Sequence, residues 1–191
     1  MREILAEEGL RRLVFKILGE TVFRRLHLFE RPLVPLPSLR GPGIELEYGF
    51  LSEADVGKLE SLGWDLRPEE AVARLRRGER CFVAFHGERV VSARWLATGT
   101  AFIEYLAGEA RLGDGEVYLY EAYTAPEYRK LGVYGAASTR LARLLAAEGR
   151  VRTVAAVPPD DPAAVRACEA AGYSRAGTVG YVALGPWRRH A

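Results

Sequence analysis

A short segment in the second half of the chain combines the residue types of an anion site. Alternating apolar residues at 116–124 predict a strand, and Arg129 and Lys130 lie in the turn that follows it. Glycines at 132 and 135 then open an Ala/Leu-rich stretch that reads as a helix. The first N–H groups of a helix have no partner within it and meet the positive end of its dipole. The junction therefore predicts a phosphate site, and a pyrophosphate is the ligand expected there.

Two common phosphate motifs are absent from this junction. The chain has neither the GxxxxGK[ST] loop of nucleoside triphosphate enzymes nor the GxGxxG fingerprint of dinucleotide sites. The glycines have a plainer interpretation as well, because they also permit a tight turn and close packing without any ligand. The spacing alone leaves both interpretations open.

The same turn resembles the pyrophosphate loop of the GNAT superfamily of acyl-CoA-dependent N-acyltransferases. That loop reads (Arg or Gln)-x-x-Gly-x-(Gly or Ala), usually after Val-x-Pro-x-x. The segment TAPEYRKLGVY supplies Thr124, Pro126, Arg129 and Gly132 in those places. Tyr134 departs from the pattern, because it stands where the last small residue is usual and its side chain must turn away from the phosphates.

A later segment resembles a second signature of the family, in which Asn begins a helix that is followed by Gly-(Phe or Tyr). The segment DDPAAVRACEAAGY matches its spacing, with Asp161 in place of the asparagine and with Gly172 and Tyr173 at its end. Cys168 falls where many members carry a tyrosine that protonates the leaving CoA thiolate. The two signatures span residues 116–184 in the family's order, and the resemblance extends from about residue 44.

The resemblance implies an N-acetyltransferase that transfers an acetyl group from acetyl-CoA to a primary amine by direct attack in a ternary complex, without a metal. The backbone of residues 122–124, on a bulged strand, is expected to hold the pantetheine arm and the thioester oxygen. The implied CoA-binding residues are Ala122, Tyr123, Thr124, Arg129, Lys130, Leu131, Gly132, Val133, Tyr134, Gly135 and Asp161.

Direct attack requires a base for the incoming ammonium. Glu121 is the first candidate because it lies on the strand close to the expected thioester. Glu104 and Glu116 are rivals. Each glutamate has the alternative of being a solvated or ion-paired carboxylate, which is the common fate of this residue type.

The departing thiolate also requires a proton. Cys168 is the first candidate acid because a thiol matches a thiolate in basicity, with an unperturbed pKa of about 8.5. Its alternative is a small apolar residue that fills the space between helix and sheet. Tyr134, Tyr123 and water are the other candidate donors.

The acceptor is expected to be a small-molecule or peptide amine, and nothing in the sequence identifies it further. Aromatic residues are numerous enough to line its pocket, although large side chains in strands are more often core; they are Trp64, Trp95, Tyr105, Tyr118 and Tyr120. Two other classes of function stay open: a non-catalytic acyl-CoA-binding module, and a membrane-surface or interaction protein that uses a basic N-terminal helix.

The remaining pattern predicts an α/β fold of the mixed α+β kind. We expect a GNAT-like central twisted sheet, mixed and mostly antiparallel, flanked by helices, because the chain lacks the regular alternation of a doubly wound fold. Predicted strands are 44–50, 80–99 as a hairpin, 116–124, 151–157 and 173–184 as a closing hairpin; predicted helices are 52–63, 67–78, 132–148 and 160–171. Residues 100–108 are either another strand or an irregular excursion.

The N-terminal part reads as an extension to this domain. Apolar residues recur at helical spacing over 3–29, and residues 30–43 contain four prolines and two glycines, which favours a linker over a central strand. The expected division is thus an amphipathic extension with its linker at 1–43 and an acyltransferase domain at 44–191. The N-terminal helices are also a candidate surface for a homodimer.

Composition limits the remaining classes. A formal net charge of +2 does not support nucleic acid as the partner, and the three histidines lack metal-ligand spacing, so no metal is expected. Cys81 and Cys168 lie in apolar surroundings outside any CxxC pair, which favours reduced thiols and a cytoplasmic protein. No apolar run approaches the roughly 18 residues that a membrane span needs, so no transmembrane segment is predicted.

Overall fold

The structure is a computed structural model that describes residues 23–35, 41–106, 108–184 and 187–190. Its strands are β1 (Phe23–Pro32), β2 (Glu47–Phe50), β3 (Arg80–His86), β4 (Arg89–Ala97), β5 (Thr100–Ile103), β6 (Gly108–Arg111), β7 (Glu116–Thr124), β8 (Arg152–Val157), β9 (Ser174–Leu184) and β10 (Trp187–His190). Its helices are α1 (Pro68–Arg76), α2 (Val133–Ala147) and α3 (Pro162–Ala170), and 3-10 turns cover Glu53–Leu62, Glu104–Leu106 and Pro126–Tyr128.

Eight of the strands form one mixed sheet in the order β10-β9-β1-β8-β7-β4-β3-β2, and β5 pairs with β6 in a separate hairpin. Every neighbouring pair in the main sheet is antiparallel except β7 and β8, which run parallel. The predicted fold class, a mixed and mostly antiparallel sheet flanked by helices, is confirmed.

Helices cover both faces of the sheet, and the alternation of side chains along β3 shows how. Phe82 packs in the cluster that contains Leu141 and Leu145 of α2, whereas Cys81 and Val83 pack with the 3-10 segment and α1. Successive strand residues point to opposite faces, so a strand covered on both sides reads as a continuous apolar run. Each fully buried leucine of α2 contributes about 2 kcal/mol from apolar burial.

The predicted helix over 3–29 is wrong for residues 23–29, which belong to β1, and its first part lies outside the described residues. β1 is a central strand that pairs with β8 on one side and β9 on the other. Leu26 packs with Leu106 on one face, whereas Phe29 packs in the main cluster on the other. Because both faces are covered, buried residues three apart imitate helical spacing.

The position of β1 also bears on the predicted linker and domain start. Residues 30–32 were expected in a linker but complete β1, and Leu33 is fully buried. The division of the chain at residue 43 stays a prediction, and the pairing of β1 with the sheet is the observation that argues against it.

Several other expected elements are found with changed limits. The strand over 44–50 is confirmed for Glu47–Phe50, the 80–99 hairpin is confirmed, and the helix expected at 52–63 is a 3-10 helix. The closing hairpin over 173–184 is wrong: this segment is the single strand β9, and the hairpin partner is β10. Gly177, in the middle of this segment, pairs with Leu28 of β1 in the ladder.

Candidate functional site

β7 and β8 separate at the centre of the sheet. Their parallel pairing runs from Glu116 opposite Arg152 to Leu119 opposite Ala155. β7 then bulges: its register with β4 shifts, and Glu121 has φ +45°, a left-handed conformation that a glutamate rarely adopts. Backbone strain of this kind clusters at functional sites. The predicted bulged strand is therefore present, and a gap opens beside it.

The N-terminus of α2 faces this gap. Gly132 caps the helix with φ +79° and its carbonyl accepts from the N–H of Ala136, while no side chain of the described residues caps the first turn. The N–H groups of residues 133–135 are consequently available to an anion. Lys130 has φ +64°, so the turn before α2 contains two left-handed residues, Lys130 and Gly132.

A cavity of about 720 Å³ runs from this helix end to the parting of the strands. Gly135 is open to it, because a Cβ built there would meet nothing within 4 Å. Of the predicted CoA-binding residues, the cavity is lined by Ala122, Thr124, Arg129, Lys130, Gly132, Val133, Tyr134, Gly135 and Asp161. A cavity of this volume with backbone donors at one end can hold a phosphorylated ligand with an apolar arm.

Two predicted CoA-binding residues do not line this cavity. The ring of Tyr123 stacks on Trp64, with 5.8 Å between the centroids, and the Arg129 guanidinium lies 5.5 Å from the Tyr123 centroid. Leu131 is 42% exposed, and its carbonyl accepts from the N–H of Gly43. Any contact of these two residues with a ligand in the cavity must come from their backbone.

Asp161 begins α3, as the second signature and the acidic residues before the predicted helix indicated, and its carboxylate has a structural role there. Its Oδ1 accepts from the N–H groups of Ala163 and Ala164, at 3.1 and 2.9 Å, and so caps α3. A carboxylate occupied in this way is a poor partner for a phosphate. Asp161 lines the cavity because the N-terminus of α3, which it caps, forms part of the cavity wall.

Glu121 lies where the first cavity meets a second one. Its carboxylate accepts two hydrogen bonds from Arg74 of α1, from Nη1 to Oε2 at 2.6 Å and from Nη2 to Oε1 at 2.9 Å. Arg74 also binds Glu70 at 2.6 Å. Burial acts to lower the pKa of Arg74, but the hydrogen bonds that it donates to the two carboxylates outweigh this effect and raise that pKa.

The rival carboxylates are not at this junction. Glu116 accepts from the N–H of Gly113 and from Arg152 at the opposite end of β7, and these hydrogen bonds lower its pKa. The side chain of Glu104 lies outside the described residues. Among the three candidates, Glu121 alone lines both cavities in the described structure.

The two candidate acids, Tyr134 of α2 and Cys168 of α3, meet on the cavity wall. Burial raises the pKa of Tyr134 to about 12, and the neighbouring Cys168 acts in the same direction. Burial also raises the pKa of Cys168, which is 5% exposed. Both groups are therefore neutral near pH 7. Tyr173, which ends the second signature, is buried and accepts a hydrogen bond from Thr153 at 3.0 Å.

One charged residue of the wall was not anticipated. Arg94 of β4 is 2% exposed and lines the first cavity. Its Nη1 donates to Ser138 Oγ at 2.7 Å, and its Cζ lies 4.6 Å from the centroid of the Tyr134 ring. No sequence signal indicated it, because an arginine in an apolar strand is identified as a site residue only when the packing helix is known.

The second cavity, of about 850 Å³, opens on the other side of the parted strands. Tyr118 and Tyr120 stack in its wall with 5.5 Å between ring centroids, and Tyr105 lies there too. Of the aromatic residues expected in an acceptor pocket, these three line it. Trp95 is a fully buried core residue and Trp64 packs on Tyr123, and neither lines one of the two cavities.

The described part of the chain has no cluster of three or more His, Cys, Asp and Glu side chains able to hold a metal ion. Among its helices, none combines the length and apolarity needed to cross a bilayer. Cys81 and Cys168 are free and buried, as expected.

Comparison with known proteins supports the fold. No family model matches the chain, and no curated protein matches its sequence. Solved structures do match. A GNAT-family acetyltransferase from Colwellia psychrerythraea has a TM-score of 0.59 at 15% identity, over 91% of this chain and 61% of that protein. A GCN5-related N-acetyltransferase from Sphaerobacter thermophilus has 0.59 at 13% identity, over 89% and 54%.

A shorter neighbour gives the same result. An N-acetyltransferase from Staphylococcus aureus Mu50 has a TM-score of 0.53 at 14% identity, over 70% of this chain and 86% of that one. The chain spans less than two thirds of the length of the Colwellia and Sphaerobacter proteins. At these identities the likeness concerns the fold, which is GNAT-like, as the two sequence signatures predicted.

Proposed function

We propose that this chain, with its GNAT-like fold, is an acyl-CoA-dependent N-acyltransferase that transfers an acetyl group from acetyl-CoA to a primary amine. The observation that carries the proposal is the position of Glu121, which lines both cavities. The first cavity begins at the N-terminus of α2, and the second opens beyond the parted strands. Two cavities that share a wall residue can hold two substrates that meet at one point.

The donor binds along the first cavity in this proposal. The pyrophosphate lies on the N–H groups of residues 133–135, next to Arg129 and Lys130. Their charges and the helix dipole favour an anion. The pantetheine arm follows the bulged strand, where backbone groups of residues 122–124 bind its amides. The thioester then lies at the bulge, with a backbone N–H polarising its carbonyl.

The acceptor amine enters from the second cavity and is a small molecule or the amine of a peptide. Glu121 takes a proton from the incoming ammonium, directly or through water. The salt bridge with Arg74 keeps this carboxylate in place, 2.6 Å from the guanidinium. The nitrogen then attacks the thioester in a ternary complex without an acyl-enzyme.

The proton for the departing thiolate comes from Cys168, from Tyr134 or from water. A phenol with a pKa of about 12 is a weak donor to a thiolate whose own conjugate acid has a pKa near 8.5. Burial also raises the pKa of Cys168, which makes it a weaker proton donor than an ordinary thiol. This mismatch indicates that the thiolate needs stabilisation other than a proton.

Two measurements test the proposal on the full chain. Titration calorimetry with CoA and acetyl-CoA reports the donor site, and release of free CoA from acetyl-CoA with a panel of primary amines reports turnover. Binding together with amine-dependent release supports the enzyme. Binding without release for any amine favours the non-catalytic acyl-CoA-binding module. Absence of CoA binding contradicts both.

A further inference from the structure

Arg94 carries a charge for which the described residues offer no counter-charge. It is 2% exposed, and its hydrogen bonds go to neutral oxygens: Ser138 Oγ at 2.7 Å and the Tyr134 carbonyl at 3.4 Å. Of its five N–H groups, these acceptors engage two. The stacked Tyr134 ring, at 4.6 Å, is its other neighbour.

Arg74 is a buried arginine of the same structure whose charge is compensated, and it serves as a comparison for Arg94. Arg74 is 5% exposed and binds two carboxylates, those of Glu70 and Glu121. A buried guanidinium without such a partner is strongly destabilising unless some other group supplies the negative charge. Arg94 lines the first cavity, so a ligand in that cavity is the group that can supply it.

The position of Arg94 along the sheet identifies the part of the ligand concerned. Its neighbours Ala93 and Trp95 pair with Tyr123 and Tyr120, so Arg94 faces the two residues of the bulge. Trp95 points to the α1 face of the sheet, and Arg94 therefore points to the α2 face, where Cys168 lies. If the proposed function is right, this is the level of the thioester.

We propose that Arg94 supplies the counter-charge for the CoA thiolate that leaves during acyl transfer. The amine lone pair forms the C–N bond, and the electron pair of the C–S bond departs with the sulfur. Glu121 or water takes one proton from the ammonium before the attack, and water takes the second proton from the nitrogen as the tetrahedral intermediate collapses to the amide. The thiolate stays as an anion beside the guanidinium until it is protonated or released, so no strong acid at the position of Cys168 is needed.

The other titratable groups near the proposed thiolate are not placed to supply its counter-charge. Tyr134, Cys168 and Tyr173 are held neutral by burial, which raises the pKa of each. The Glu121 carboxylate faces Arg74, on the other face of the sheet. Asp161 caps α3, and Glu169 is exposed on the same helix. Arg31 is the other buried cation of this region and stacks on Tyr173, 6.0 Å from its centroid.

The test is the pKa of the thiol of bound CoA, read from the ultraviolet absorbance of the thiolate, with desulfo-CoA as the blank. In the wild-type protein we expect this pKa to lie at least about one unit below that of free CoA, the usual effect of an opposite charge nearby. Arg94→Met should return it to the free value or above, and Arg94→Lys should give an intermediate value.

Arg31→Met is the matched control, because it also removes a buried guanidinium but one that does not line the cavity. It should leave the thiol pKa of bound CoA at the wild-type value. Calorimetry separates failure of the proposed function from failure of the role of Arg94. Absence of CoA binding contradicts the proposed function itself. CoA binding with an unshifted thiol pKa in the wild-type protein overturns the role of Arg94 alone, whether or not Arg94→Met folds.

Discussion

Arg74 and Glu121 form a two-point salt bridge between a buried helix residue and the most strained residue of the central strand. The Arg74 nitrogens lie 2.6 and 2.9 Å from the two carboxylate oxygens, and Glu121 has φ +45°. The guanidinium of Arg74 has a further contact that holds it in place, because it also lies over the Trp95 ring, 5.3 Å from its centroid. The helix therefore fixes the carboxylate at the junction of the two cavities.

This pair predicts a separation between stability and activity. Glu121→Gln should lower kcat by about a hundredfold or more, the usual contribution of a general base. It should lower the free energy of unfolding by only about 1–2 kcal/mol, because its side chain is 37% exposed. Steady-state kinetics and urea unfolding measure the two quantities.

Glu70→Gln is the control for that experiment. Glu70 binds the same arginine at 2.6 Å with a similar exposure, 35%, but does not line either cavity. It should reduce stability by a similar amount and leave kcat close to the wild-type value. An equal loss of kcat in both variants would show that Glu121 acts through the structure and not as a base.

The two glycines of the α2 N-terminus predict opposite effects on stability. Gly132→Ala should be destabilising by about 1 kcal/mol, because φ is +79° there and a Cβ disfavours that conformation. Gly135→Ala should be neutral or slightly stabilising, since Gly135 is helical and its Cβ would meet nothing. Thermal unfolding without ligand measures this difference.

Both substitutions should nevertheless weaken CoA binding. The added methyl at residue 135 points into space that the pyrophosphate is proposed to fill, and alanine at residue 132 disturbs the turn that aims the N–H groups. A more stable Gly135→Ala protein with a higher Kd for CoA, measured by calorimetry, supports the proposed site. An unchanged Kd would mean that the phosphates bind elsewhere.

The glycine turn could be predicted from sequence because its physics is local. Positive φ at Gly132, the cap of α2 and the strand before it depend on residues within a few positions of each other. Arg74 and Arg94 could not be predicted as site residues. Their partners Glu121 and Ser138 lie 47 and 44 residues away, and only the packing of helices on the sheet brings each arginine to a cavity wall.

Residues 23–29 belong to the strand β1 although their spacing predicts a helix, and the physical reason for this difference is another one. A helix and a doubly covered strand both give apolar residues three apart, and Leu26 and Phe29 are buried on opposite faces of β1. The prolines at residue 32 and beyond suggested a linker, but Pro32 is the last residue of its strand, where a missing N–H is tolerated. Periodicity alone cannot separate these cases.

Asp161 predicts a purely structural effect. Asp161→Ala should lower the free energy of unfolding by about 1 kcal/mol, the usual value of a lost N-cap. Asp161→Asn keeps an oxygen that accepts from Ala163 and Ala164 and should be close to wild type. Urea unfolding of both variants measures this. A marked loss of CoA affinity in Asp161→Asn would instead assign the carboxylate a role in binding.

The two cysteines predict different responses to thiol reagents and to ligand. Burial raises the pKa of Cys81 to about 12 and also raises that of Cys168, so both thiols are protonated at pH 8 and should alkylate much more slowly than in denaturant. Cys168 lines the first cavity and Cys81 does not, so CoA should slow the labelling of Cys168 alone. Mass spectrometry of alkylated peptides measures both rates.

The same raised pKa values set the sign of a pH effect on stability. An acid whose pKa is higher in the folded state binds more protons there than in the unfolded chain, so stability is full below the unfolded pKa of about 8.5 and falls as pH rises above it. Cys81→Ala should be less stable than wild type because core packing is lost. Between pH 8 and pH 10, however, its free energy of unfolding should fall less steeply than that of wild type, by up to about 1.4 kcal/mol per pH unit. Parallel slopes in urea unfolding would mean that Cys81 ionises as easily in the folded protein as in the unfolded one.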